Sequence, residues 1–203
     1  MGEKQEKIEK LREIRAYASR EAVPILQDES SEFICKFIKE HNVKKVLEIG
    51  TAIGYSSIKF ASVREDVFVT SIEIDIDRFI RAQQNIKAFN LSDRIHLIHD
   101  DALKCNIEDK NFDLIFIDAA KAQYINFFEK YKENLAENGV IISDNLSFHG
   151  MVQDITLTHN YSTKKLVKKI QMYVAYLKTN EEFETEFFEL GDGISVSRKK
   201  KSR

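Results

Sequence analysis

The sequence predicts an α/β protein with a doubly wound, mostly parallel sheet of seven strands that ends in an antiparallel hairpin. Short runs rich in Val, Ile and Phe alternate with helical patterns, which is typical of buried parallel strands joined by helices. A tight Gly191-Asp192-Gly193 turn joins the two closing runs, which indicates the hairpin. Four of the apolar runs end on a carboxylate or one residue before it, namely 45–48, 68–73, 112–118 and 140–144. Ligands of such sheets bind at the carboxyl ends of the strands, so these acids indicate an enzyme site.

The N-terminal part is predicted to be helical. Residues 3–20 place Ile8, Leu11, Ile14 and Tyr17 or Ala18 at helical spacing, which gives a charged helix with one narrow apolar stripe. A second helix is predicted over residues 30–41, with Ser30 or Ser31 as its N-cap.

Strands and helices then alternate as far as a long helix and the closing hairpin. The period-2 and continuous apolar runs predict strands, and the spacing of apolar residues by three and four predicts helices. The predicted strands are 44–49, 67–73, 94–98, 112–117, 139–143, 183–190 and 193–199, and the predicted helices among them are 54–63, 76–89, 122–135 and 162–178.

Length and composition favour one domain, 1–203, made of N-terminal helices (1–41) and an α/β core (42–203). The apolar fraction of 43% and charged fraction of 32% are ordinary for a globular protein, and no run reaches the length of a membrane span. The charged N-terminus lacks the apolar core of a signal peptide, so the cytoplasm is expected, with no membrane partner. Two cysteines are too few for a disulfide framework, and Cys35 is expected to be a small core residue.

Three loops after the first three strands predict a pocket for an adenosine-containing cofactor. Gly50 allows a tight turn off the first strand and Gly54 lets the next helix begin close to a ligand, whereas the dinucleotide pattern G-x-G-x-x-G is absent. A plain strand–helix turn is the alternative for this loop alone. Glu73 ends the next strand and can accept hydrogen bonds from both ribose hydroxyls, and Asp101 follows the third strand in a polar turn.

A magnesium site is predicted beside this pocket. Asp118 and the Asp144-Asn145 pair follow strands that should be neighbours, about 4.8 Å apart. Three hard oxygen ligands suit Mg²⁺, and adjacent carboxylates need a cation or a proton to coexist. The alternative is that these acids only cap helix N-termini.

The pattern resembles the metal-dependent O-methyltransferases, the class I S-adenosylmethionine (SAM) enzymes that include catechol and caffeoyl-CoA methyltransferases. The matching stretches are 48–56, 118–121 and 144–145. The resemblance implies a Rossmann-like methyltransferase fold, SAM and Mg²⁺ as cofactors, and methyl transfer to a hydroxyl held on the metal. It implies catalytic roles for Asp118 and for Lys121 as general base, metal ligation by Asp118, Asp144 and Asn145, and cofactor contacts from Leu26, Glu48, Gly50, Ser56, Glu73, Asp101, Ala102 and Asp118.

Within this family the chain is similar to a bacterial branch, the tRNA 5-hydroxyuridine methyltransferases. The similarity lies in residues 50–56, 117–124 and 191–197 and in the lysine-rich end, with Asp100 departing from a glycine that is usual in relatives. It implies conversion of 5-hydroxyuridine to 5-methoxyuridine at the wobble position, with the tRNA anticodon loop as partner, and a homodimer. The stripe of helix 3–20 is a candidate dimer interface.

The helix predicted over 162–178 bears on the choice of substrate. Four lysines lie opposite its apolar face and could contact phosphates without reading sequence, although a solvated helix face is the simpler interpretation: Lys164, Lys165, Lys168 and Lys169. Two alternatives to the tRNA enzyme remain, a small-molecule O-methyltransferase acting on catechol-like diols and a non-catalytic RNA-binding or adenosine-sensing protein. The Asp118, Lys121, Asp144 and Asn145 set argues against a protein that only binds.

Overall fold

The computed structural model describes residues 2–201 and contains one seven-stranded sheet flanked by helices. The strands are β1 (Lys45–Ile49), β2 (Phe68–Glu73), β3 (Ile95–His99), β4 (Phe112–Ile117), β5 (Leu135–Ser143), β6 (Phe183–Phe188) and β7 (Ile194–Lys199). The helices are α1 (Glu3–Arg20), α2 (Asp28–Glu40), α3 (Tyr55–Ala61), α4 (Ile76–Ala88), α5 (Tyr124–Tyr131) and α6 (Tyr161–Thr179), with short 3₁₀ helices at Lys121–Gln123, Lys132–Asn134 and Ile155–Leu157.

The sheet has the order β3-β2-β1-β4-β5-β7-β6, which confirms the predicted fold class. The first five strands are parallel, and β7 runs antiparallel to both β5 and β6. The strand order reverses between β1 and β4, where the connecting helices move to the opposite face of the sheet and leave a crevice. Residues 46–49 and 114–117 are completely buried, as expected for central strands covered on both faces.

The register of the central strands brings their acidic ends together. Ile49 of β1 pairs with Ile117 of β4, and Ile117 pairs with Ser143 of β5, so the three strands end at the same level. Asp118 and Asp144, which immediately follow two of these strands, are therefore neighbours at one edge of the sheet, as the alternation of runs predicts.

Helix α2 begins earlier than predicted, at Asp28, with Gln27 as its N-cap. The prediction of a cap at Ser30 or Ser31 was wrong, because both serines are fully buried in the first turn. The first turn of α2 also contains Asp28 and Glu29. Their carboxylates interact favourably with the positive end of the helix dipole. The Ser30 hydroxyl is consequently free to bind elsewhere.

The apolar stripe of α1 packs largely onto its own chain. Ile14 and Ala18 are buried in the core, and Leu11 and Tyr17 pack against it. The guanidinium of Arg81 lies 4.0 Å from the centre of the Tyr17 ring on the other side. The C-terminal half of this stripe is thus covered within the chain, and a dimer interface on α1 stays a prediction.

Two other elements differ from their predicted bounds. The predicted helix 122–135 is shortened to α5 with a 3₁₀ turn at each end. Strand β5 begins at Leu135 rather than 139, and its pairing with β4 is irregular between Phe112 and Leu114.

Cys35 is half-buried against the core rather than fully enclosed. Among the described residues, no helix is long and apolar enough to cross a membrane.

Candidate active site

A cavity of about 650 Å³ opens at the carboxyl ends of β1, β2 and β4, beside the point where the strand order reverses. Its wall is built from the loops that follow the strands and from the segment between α1 and α2. Among the lining residues are Leu26, Gly50, Ser56, Glu73, Asp101, Ala102, Asp118, Lys121, Asp144, Asn145 and His149. Ten of the residues predicted to form the site thus meet around one cavity.

The loop after β1 passes so close to β4 that only glycine fits at its start. Gly50 has φ +100°, and a Cβ at this position would overlap the carbonyl oxygen of Asp118. The loop is anchored to β2, since the Gly50 and Thr51 amides donate to the carbonyl of Ile72 at 3.0 and 3.3 Å. Gly54, with φ +83°, then begins α3. The loop therefore presents backbone directly to the cavity.

Glu48 does not line the cavity, which corrects its predicted contact with the cofactor. Its carboxylate is fully buried and accepts hydrogen bonds from the hydroxyls of Ser56, Ser57 and Ser71. Burial raises the pKa of Glu48 to about 7, although the three hydroxyls act in the opposite direction. Glu48 thus joins β1, β2 and the start of α3 from behind the cavity wall.

The Glu48→Gln variant should change how stability depends on pH. The pKa of about 7 in the folded protein lies above the ordinary glutamate value of about 4.5, so the native protein loses stability as pH rises through this interval. At about 1.4 kcal/mol per pKa unit, the loss is on the order of 3 kcal/mol. We expect the stability of the variant relative to the native protein to increase between pH 4.5 and 7.5 in chemical denaturation. The exposed Glu137→Gln is the control, and a constant difference across this range would contradict the expectation.

Glu73 lies at the cavity wall with both carboxylate oxygens oriented by backbone amides. Oε2 accepts from the Ala52 amide at 2.7 Å and Oε1 from the Asp75 amide at 2.9 Å. Each carboxylate oxygen can accept a further bond, so the pair can bind two adjacent hydroxyls. The position agrees with the predicted role of this residue.

Asp101 and Ala102 form the neighbouring wall after β3. Asp101 Oδ1 accepts from the Leu103 amide at 2.9 Å, which fixes a turn, and the Asp101 amide donates to Asp100 Oδ1 at 2.7 Å. The carbonyl of Ala102 accepts from Lys130 Nζ at 2.8 Å and from the Tyr131 hydroxyl at 2.6 Å. Asp100, the departure from the family pattern, therefore helps to hold the loop.

Asp118, Asp144 and Asn145 converge at the deeper end of the cavity. The Asn145 amide nitrogen donates to Asp118 Oδ1 and to Asp144 Oδ2, both at 3.0 Å. The Ser30 hydroxyl donates to Asp144 Oδ1 at 3.1 Å, so α2 contributes to the site. Burial raises the pKa of both carboxyl groups, and the charge of Asp118 adds to the rise at Asp144. Two carboxylates held this close favour a bound cation.

Lys121 begins the 3₁₀ helix that follows the loop after β4, and it also lines the cavity. Its charge lowers the pKa of Asp118, in opposition to burial. An ammonium group three residues beyond the carboxylate is therefore available beside the carboxylate pair.

Three residues at the site were not predicted. Ser30 was interpreted as a helix cap, His149 lies in a stretch without a recognisable motif, and Asp192 was interpreted only as part of a turn. Asp192 is 4% exposed and accepts a hydrogen bond from the backbone amide of His149. An aspartate between two glycines is usually a solvated turn residue, so nothing in the sequence distinguishes this one.

The four predicted lysines lie on α6, which packs against the 3₁₀ helix Lys121–Gln123 at the cavity. Lys165, Lys168 and Lys169 are exposed and Lys164 is half-buried, whereas Val167, Ile170, Tyr173 and Leu177 are buried. Lys165 Nζ lies 4.6 Å from the centre of the exposed Tyr161 ring. The N-terminal part of α6 follows directly on the loop that contains Asn145 and His149. The predicted separation of faces is thus present, and contact with RNA stays a prediction.

The sheet order and the cavity at its reversal point define an α/β protein whose ligand site lies at the carboxyl ends of the strands. The model of the O-methyltransferase family matches residues 2–200, and the chain belongs to that family. A crystal structure of a Staphylococcus aureus protein, provisionally named a caffeoyl-CoA O-methyltransferase, is similar to this chain, with 38% sequence identity and a TM-score of 0.90. The match covers 94% of this chain and 92% of the Staphylococcus aureus chain.

A plant relative and a second bacterial structure are also similar to this chain. The caffeoyl-CoA O-methyltransferase of Populus kitakamiensis is 26% identical over 96% of this chain and 86% of its own length. An O-methyltransferase from Bacillus cereus, crystallised in complex with SAH, has 24% identity and a TM-score of 0.82, with 95% of this chain and 91% of its own covered. At that identity the likeness shows the fold alone.

Proposed function

We propose that the chain is a SAM- and Mg²⁺-dependent O-methyltransferase that acts on hydroxylated ring compounds. The observation that carries the proposal is the carboxylate pair of buried Asp144 and half-buried Asp118, bridged by Asn145 beside a cavity of about 650 Å³. In such a site a binding cavity large enough for an organic cofactor lies next to a binding site for a cation. Membership of the O-methyltransferase family and likeness to caffeoyl-CoA methyltransferases support it.

The residues around the cavity suit SAM. Glu73 would accept from the ribose hydroxyls, Asp101 and Ala102 would border the adenine, and the Gly50 loop, Ser56 and Leu26 would enclose the methionine end. When bound, SAM supplies a methyl group on a positively charged sulfur. The oriented Glu73 carboxylate is suited to selecting a diol, because both of its oxygens are already held in place.

The carboxylate pair and Asn145 suit Mg²⁺. The Asn145 amide nitrogen stands between the two carboxylates, and exchange of its amide nitrogen and oxygen would present three oxygens to a cation. Within the described residues no three His, Cys, Asp or Glu side chains form a candidate metal cluster, and the proposed set consists of two carboxylates and one amide. Lys121 is placed to hold or remove the proton of an acceptor hydroxyl.

The acceptor is proposed to be a catechol-like or caffeoyl-type vicinal diol. A second candidate is 5-hydroxyuridine at the tRNA wobble position, which presents adjacent oxygens in a similar way. The lysines of α6 favour this candidate, because they suit phosphate contacts and a small diol does not need them. Incubation with SAM and Mg²⁺ and either catechol or tRNA containing 5-hydroxyuridine, followed by mass spectrometry, tests both. If neither catechol nor the tRNA is methylated, the proposed function is contradicted.

A quadruple variant separates the two acceptors. We expect Gln at 164, 165, 168 and 169 to weaken tRNA binding and to reduce its log–log salt slope by up to about 3, at roughly 0.7–0.9 per lost phosphate contact. Methylation of catechol should not change. The matched control replaces four lysines at the opposite end of the sheet and on α2, Lys36, Lys39, Lys44 and Lys110. Equal effects of the two variants on tRNA would show that only net charge matters.

A further inference from the structure

The loop that follows Asp144 and Asn145 is held by the turn of the β6–β7 hairpin. The Ser147 amide donates to the carbonyl of Asp192 at 2.7 Å, and the Leu146 amide donates to the carbonyl of Gly193 at 3.0 Å. A Cβ at Gly193 would lie 2.8 Å from the Ser147 nitrogen, so the approach requires glycine. The hairpin therefore determines where this loop meets the cavity.

Asp192 is a buried carboxylate with an incomplete set of partners. Its Oδ1 accepts from the His149 amide, whereas its Oδ2 is buried and has no hydrogen-bond partner among the described residues. A buried charged group without partners is costly, so a role is expected for it. The imidazole Nδ1 of His149 lies 3.6 Å from Oδ1, within ion-pair range.

His149 is held at the cavity wall in a backbone conformation that non-glycine residues rarely adopt. Its φ is +56° and that of Phe148 is +47°, and the hydrogen bond to Asp192 maintains this geometry. The side chain is 66% exposed and lines the cavity together with Asn145 and Lys121. The strained backbone at Phe148 and His149 thus places the imidazole at the same cavity as the carboxylate pair.

We propose that His149 contacts the methyl acceptor through Nε2 and that Asp192 is the residue that positions it. A carboxylate beside Nδ1 favours the ring form with its proton on Nδ1, which leaves a lone pair on Nε2. Nε2 would then accept a hydrogen bond from an N–H or O–H group of the acceptor. The enzyme would select ring compounds that carry such a donor in addition to the oxygens held near Asp118 and Asp144. This inference rests on the proposed function, which makes the cavity an acceptor site.

The test measures KM and kcat in His149→Ala for pyrogallol and 5-hydroxyuridine-containing tRNA, which carry a further O–H or N–H donor, and for catechol, which carries none, with SAM affinity measured by calorimetry. Loss of one neutral hydrogen bond should raise the KM for the two donor-carrying acceptors about 3–10-fold and leave the KM for catechol unchanged. SAM affinity and melting temperature should stay at the native values. His159→Ala is the matched control, because His159 is exposed in the same loop and does not line the cavity. An unchanged KM for the donor-carrying acceptors in His149→Ala, or an equal rise in the KM for catechol, would overturn the proposal.

Asp192→Asn distinguishes positioning from simple support of the loop. The amide oxygen can still accept from the His149 backbone, but the negative charge beside Nδ1 is gone. We expect it to raise the acceptor KM in the native background and to have no further effect in a His149→Ala background. Equal effects in both backgrounds would show that Asp192 acts through the loop alone and would contradict its positioning role. If the native protein methylates no acceptor, the proposed function fails instead.

Discussion

Asp144→Ala is expected to reduce methyl transfer by about 10²–10³-fold, the loss typical when a charge-stabilising group is removed from an active site. Asp144 is 2% exposed and shares the Asn145 amide with Asp118, so its removal takes away one of two carboxylates that would hold Mg²⁺. Affinity for SAM should remain close to native, because Glu73 and Asp101 stand on other strands. Turnover of catechol and calorimetry with SAM measure the two effects.

The control for this variant is Asp154→Ala, which removes an exposed aspartate from the same loop region. Asp154 caps a 3₁₀ turn by accepting from the Thr156 amide and hydroxyl and does not line the cavity, so its loss should leave turnover unchanged. The Ser30 hydroxyl loses its acceptor in Asp144→Ala, and a modest fall in stability is expected. Full native activity in the presence of EDTA would refute the metal role on which this expectation rests.

Gly50→Ala should damage both folding and cofactor binding. An added Cβ would overlap the Asp118 carbonyl oxygen, and alanine at φ +100° is strained even without that contact. Overpacking costs about 1–3 kcal/mol and an unfavourable positive φ about 1–2 kcal/mol more. The loop can relieve the overlap only by moving away from β4, which displaces the cavity wall. The midpoint temperature of thermal unfolding and the affinity for SAM should both fall.

Gly150→Ala provides the comparison. Gly150 also has a positive φ, +78°, but the nearest atom to an added Cβ is Leu157 Cδ1 at 3.7 Å. This variant therefore carries only the backbone strain. If both variants lost the same stability and the same SAM affinity, close packing of the loop against β4 would not be the reason for glycine at 50.

The parallel core of the sheet, its antiparallel hairpin and the meeting of acids at one edge could be predicted from the sequence, whereas the position of β7 between β5 and β6 was not. Buried parallel strands have a continuous apolar pattern, and their carboxyl ends lie on one side, so Glu73, Asp118 and Asp144 are placed by pattern alone. Glu48 ends its run in the same manner but its side chain is directed to three serines behind the wall. A one-dimensional pattern does not say which face of a strand end is covered.

Contacts between distant parts of the chain account for the other differences. Ser30 binds Asp144 across 114 residues, so its sequence neighbours suggest only a helix cap. The stripe of α1 reads as an unpartnered face because its partners, including Arg81, are far along the chain. Asp192 is buried where the loop after Asn145 and the start of α2 both contact its turn. Packing of this kind depends on the completed tertiary structure, which local propensity does not encode.

The position of β7 between β5 and β6 also has a consequence for how the protein is made. The ribosome releases residues in order, yet the loop beside Asn145 is fastened by residues 192 and 193, and β5 gains its outer neighbour only when β7 arrives. A nascent chain that stops short of residue 191 has an open β5 edge able to pair with other chains, and an unfinished catalytic centre. The candidate site is therefore completed only when the last strand of the sheet has been synthesised. Chains truncated before residue 191 are expected to aggregate rather than to retain partial activity.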